Sequence, residues 1–121
     1  MSPAVPPQSE LFRETDPALQ PLVETLNAKL KGKPLDLPSI KSALVVLLEF
    51  LSSPAGRTDA NCRAVDGFFF HDETWVDADL PDAYHDVFSH MDALHDTVAA
   101  AHIAQNFDST PEQLLSRARS L

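Results

Sequence analysis

Residues Pro38–Ser52, PSIKSALVVLLEFLS, decide the architecture. Ile40, Leu44, Leu47, Leu48 and Leu51 recur at three- and four-residue spacing, which stacks them on one face of a helix with 3.6 residues per turn. Ala43, Val46 and Phe50 widen that stripe. So broad an apolar arc predicts a central helix covered by neighbours on more than one side. Glu49 ends the apolar run that starts at Ala43, well short of the ~20 apolar residues a bilayer span needs. No membrane span and no membrane partner are therefore expected.

The same periodicity appears on both sides of this segment. Upstream, Leu19, Leu22, Val23, Leu26 and Leu30 predict a helix over Pro17–Lys31. Asp16-Pro17 forms its start, and Pro21 pushes the regular part toward Gln20 because proline lacks the N–H that an inner turn requires. Downstream, Thr58 is the expected cap of a third helix, with Cys62, Val65, Phe68 and Phe69 facing inward. Gly67 weakens that helix by about 1 kcal/mol relative to alanine, which predicts an end or a bend there. Residues 71–81, with His71, Asp72, Glu73, Asp77, Asp79 and Pro81, read as a polar connection pinned by Trp75 and Val76. A fourth helix over Asp82–Ala100 stacks Tyr84, Val87, Phe88, Met91, Leu94 and Val98. Ser109-Thr110-Pro111-Glu112 is a capping-box start for a last helix that carries Leu114, Leu115, Ala118 and Leu121 inward. No segment shows convincing two-residue alternation. The expectation is an all-α fold, a compact bundle of five to six helices forming a single domain over 11–121. A flexible N-terminal tail, 1–10, with Pro3, Pro6 and Pro7, precedes it.

Charge is segregated along the 121 residues. The net charge is −9, yet the six acids and six bases of residues 1–57 cancel. No Lys or Arg occurs between Ala64 and Ser116, and all five histidines fall in that block. Without a basic footprint, nucleic acid is excluded as the expected partner. A basic protein or a cation fits better. The single cysteine, Cys62, allows no internal disulfide, which points to a reducing, cytoplasmic location.

Two polar constellations are candidate sites. On the fourth helix, His85, Ser89, Asp92 and Asp96 share a face away from the apolar stripe. His85 can reach Ser89, and Asp92 with Asp96 can share a cation. His95 falls on the apolar side, with Asp92 as its nearest partner. His95 and Asp92 are thus the candidate metal ligands, with His71, Asp72 or His102 completing a shell around a divalent ion. The second constellation surrounds the start of the third helix. There Asp59 and Arg63 are spaced for an i, i+4 pair, Asn61 faces inward, and Arg57 with free backbone N–H groups suits an anion or a partner. For each constellation the plainer reading is structural: a solvated acidic face in the first, capping and an inter-helix tie in the second.

Glycine-rich phosphate loops, Cys-x-x-Cys pairs and a Ser/His/Asp elbow are all missing from the sequence. The leading expectation is therefore a non-enzymatic protein-interaction or self-associating module. It would use Asp59, Asn61, Arg63, His85, Asp92 and Asp96 for partner binding, together with the apolar surface of the second or last helix. The pairs His71-Asp72, His85-Asp86 and His95-Asp96 resemble, as dipeptides, the adjacent His and Asp of HD-type phosphohydrolases. That resemblance implies the alternative, a metal-dependent hydrolase using His/Asp residues of segment 71–102. Phe107–Leu115 and Arg57–Asp66 also resemble pieces of bacterial proteins of unknown function, which implies no mechanism.

Overall fold

The computed structural model describes residues 12–71, 74–91 and 111–121. Among these, six helices and no strand are present: α1 (Leu19–Lys29), α2 (Leu37–Ser52), α3 (Asp59–His71), α4 (Thr74–Asp77), α5 (Asp82–Met91) and α6 (Pro111–Arg119). The all-helical class is thus as the periodicity implies. None of the described helices is long and apolar enough to cross a membrane.

α2 occupies the centre. Its most extensive packing is against α6, followed by α1. Ile40, Leu44, Leu47, Leu48 and Leu51 are all fully buried. Val46, on the outer flank of the same helix, remains 47% exposed. Asp36 caps the helix, accepting a hydrogen bond from the Ser39 N–H at 3.2 Å. Pro38 sits in the first turn, where no intrahelical N–H is needed.

α1 is shorter at both ends than Pro17–Lys31. Its regular turns begin at Leu19, with the Asp16 carboxylate accepting from the Ala18 N–H at 2.9 Å. Pro21 is then the third helical residue, and its missing N–H belongs to a group that has no partner within the helix in any case. At the far end, Leu30 and Lys31 close tight turns onto Asn27 and Ala28.

α3 runs through Gly67 to His71 and does not end at the glycine. Burial of the neighbouring Phe68 and Phe69 is worth roughly 1.5–3 kcal/mol each, which exceeds the glycine penalty of about 1 kcal/mol. Their rings continue an aromatic chain. Phe12 meets Phe68 at 6.1 Å, Phe68 meets Phe69 at 5.2 Å, and Phe69 meets Phe88 of α5 at 5.6 Å between centroids.

The connection after α3 contains a single helical turn, α4. Trp75 anchors it, 7% exposed, with its indole N–H donating to the Phe69 carbonyl at 2.8 Å. Val76 does not share that role and is 45% exposed. One turn of helix can aim only part of its surface inward, and Trp75 takes that direction. α5 buries Tyr84, Val87, Phe88 and Met91. The stretch assigned from the sequence to the rest of this helix, including Leu94 and Val98, lies outside the described residues, as does the proposed cap Ser109. α6 buries Pro111, Leu114, Leu115 and Ala118. Leu48→Ala is expected to lower the free energy of unfolding by about 2–5 kcal/mol. Val46→Ala, on the exposed flank of the same helix, is expected to change it by no more than about 0.5 kcal/mol, and urea unfolding of both variants measures the contrast.

Candidate functional site

The segment joining α2 to α3 turns tightly enough that a Cβ on Gly56 would run into the Phe50 carbonyl. This close approach places the Gly56 carbonyl over α3, where the Asn61 amide donates to it at 2.7 Å. The other end of the same amide accepts from the Asp16 N–H at 3.1 Å. Asn61, 1% exposed, thus ties the start of α3 to the loop before it and to the chain entering α1. Thr58 caps α3, its hydroxyl accepting from the Asn61 N–H at 3.1 Å. Arg57 is engaged by Glu112 of α6, Nε to carboxylate, at 2.8 Å. The Thr58 hydroxyl and the Asn61 amide are therefore committed to the fold, and Arg57 holds a surface ion pair. Arg63 is exposed on the same helix. Asp59 opens α3, and its side chain lies outside the described set.

On α5, His85 is exposed, with its ring against Trp75, centroids 5.1 Å apart and planes at 56°. It does not engage Ser89, whose hydroxyl donates instead to the Asp86 carbonyl at 2.8 Å. A serine hydroxyl on a helix finds the carbonyl of the preceding turn more readily than a distant side chain. The hub of this helix is Asp86, which the sequence reading did not single out. Its carboxylate pairs with Arg117 of α6, and His90 Nδ1 stands 3.6 Å from it and 2.8 Å from the Asp86 carbonyl oxygen. The i, i+4 spacing of Asp86 and His90 was the available signal. The pairing with Arg117 had none, since it spans 31 positions.

Asp92, Asp96 and His95, the remaining candidates, lie outside the described residues, together with Asp72 and His102. Among the described residues no group of three His, Cys, Asp or Glu side chains is placed to hold a metal ion. Cys62 is fully buried on the inner face of α3 and is not part of a disulfide.

A groove of about 690 Å³ opens between the α1–α2 loop and the α4–α5 segment. Leu35, Leu37 and Ala78, all half-buried, form its apolar lining. Lys31 and Lys33 border it on one side, Asp77 and Asp79 on the other. All four charged residues are exposed, and none joins a hydrogen bond or ion pair through its side chain with another described residue. Only indirect notice of it exists along the chain: Lys31 reads as a helix end and Asp77 and Asp79 as part of a polar connection. Their approach across more than 40 positions is a tertiary fact.

No protein-family model matches the chain, and no curated protein or solved structure matches it either.

Asn61→Ala is expected to cost about 1–3 kcal/mol, because the Gly56 carbonyl and the Asp16 N–H lose their shared partner; thermal or urea unfolding reads the loss. Trp75 is the only tryptophan, so its emission reports on the His85 ring. His85→Gln, which removes the ring packed against the indole, is expected to change that emission in a steady-state fluorescence spectrum.

Proposed function

We propose that this chain is a non-enzymatic protein-interaction module that engages its partner along the edge where the α4–α5 segment faces the α1–α2 loop. The observation that carries the reading is the groove itself: an apolar lining between charged borders that the fold leaves unengaged. Charges that contribute nothing to the fold are free to contribute to association.

The apolar faces of α2 and α6, the docking surfaces first suggested by the sequence, are spent on each other and on α1. Val46 is the one large apolar side chain of α2 left well exposed. Among the described residues, the groove offers a further apolar surface. Asp82, exposed at the first turn of α5, extends the acidic border beyond it. With a net charge of −9, the chain would draw a basic surface toward this edge by long-range attraction before close contacts form.

The triple variant Asp77→Lys/Asp79→Lys/Asp82→Lys tests the reading. Affinity capture with wild type and variant, quantified by mass spectrometry over a salt series, is expected to show a partner whose recovery falls about tenfold in the variant. Recovery from wild type should also decline as salt rises toward about 1 M, where the screening length is only ~3 Å. No reproducible partner, or equal recovery by both proteins, would overturn it.

A further inference from the structure

We infer that the groove receives an extended segment of a partner protein in which an apolar side chain is flanked by an acidic residue on one side and a basic residue on the other. The inference rests on the interaction-module reading and assigns the chemistry of what that module binds.

The argument starts from the two borders. Lys31 and Lys33 belong to the loop after α1, and Asp77 and Asp79 to the end of α4 and the turn beyond it. No ion pair joins the two borders. Whatever sits in the groove therefore meets ammonium groups on one side and carboxylates on the other. An all-basic segment would satisfy the Asp77/Asp79 border while being repelled by the lysines. An all-acidic segment would suffer the reverse. Only an occupant carrying both signs, in the matching order, satisfies both borders at once.

The lining selects the centre of the segment. Leu35, Leu37 and Ala78 are half-buried, so an apolar side chain laid on them completes a burial that the fold leaves unfinished. The shape also separates the choices of occupant. A second copy of the chain, related by a two-fold axis, would set one concave groove over another and bring together two molecules each of charge −9. A convex, single-stranded segment fits the concavity without either cost.

The test uses the whole chain and short fluorescein-labelled peptides with a central leucine, flanked by glutamate on one side and lysine on the other. All-glutamate, all-lysine and uncharged versions serve as comparison, and free amino acids as competitors. Fluorescence anisotropy is expected to rank the mixed-charge peptide tightest. Lys31→Glu/Lys33→Glu and Asp77→Lys/Asp79→Lys should each weaken it about tenfold, equivalent to about 1.4 kcal/mol. The first variant should gain affinity for the all-lysine peptide and the second for the all-glutamate peptide. These four positions are exposed, so the melting temperatures of the variants should match wild type. Binding unaffected by either reversal, no binding by any peptide, or equal competition by free amino acids would overturn the inference. So would a concentration-dependent dimer in sedimentation that either reversal dissolves. If the capture experiment still yields its charge-sensitive partner while the peptides fail, the inference falls and the interaction reading stands; if both fail, both fall.

Discussion

α2 can be buried only if it is covered on two sides at once, and the rest of the structure follows from meeting that demand. One flank receives Leu19, Val23 and Leu26 of α1, its neighbour in sequence. The other receives Leu114, Leu115 and Ala118 of α6, from the opposite end of the chain. Bringing α6 back across the molecule closes the bundle. The long-range ion pair between Arg119 and Glu49, at 2.8 Å, and that between Arg57 and Glu112 decorate the seam that results. Both pairs are solvent-exposed, so their worth is at most about 1 kcal/mol each. Burial of the apolar faces supplies the larger share.

A second layer of organisation runs through aromatic rings and a few buried polar groups. Phe12, Phe68, Phe69 and Phe88 link the chain before α1 to α3 and α5. Trp75 extends that chain outward, stacked on Phe88 at 6.3 Å and capped on the solvent side by His85. Asn61 does for the backbone what the rings do for the side chains. One amide holds two segments that are 40 positions apart, and a buried amide is stable only when both of its ends are satisfied. Because the indole and the amide fix the loops flanking α3, the single turn of α4 is held where it can border the groove.

Much of the helical framework was legible in the sequence because it rests on local spacing. The stripes of α2 and α6 and the inward faces of α3 and α5 appear where three- and four-residue recurrence puts them. Local energetics were misjudged at Gly67, where a propensity of about 1 kcal/mol yielded to tertiary burial of two phenylalanines. The polar groups were harder to read. Arg57 looks like a free cation in sequence and is engaged by Glu112. Asp86 looks like one acid among many and is the hub joining α5 to α6. Side-chain pairing across long sequence separations leaves no periodic trace.

The sequence by itself determined that this chain is helical, which of its residues turn inward, and that its acidity is concentrated away from its lysines. These properties depend on the spacing of residue types along one strand of polymer. Tertiary structure alone decided which charges are consumed and which are left over. Folding brings Lys31 and Lys33 to the same groove as Asp77 and Asp79, with Leu35, Leu37 and Ala78 between them. Linear distance carries no information about that meeting, because it is set by the way α1, α2 and α4 are held by the shared core.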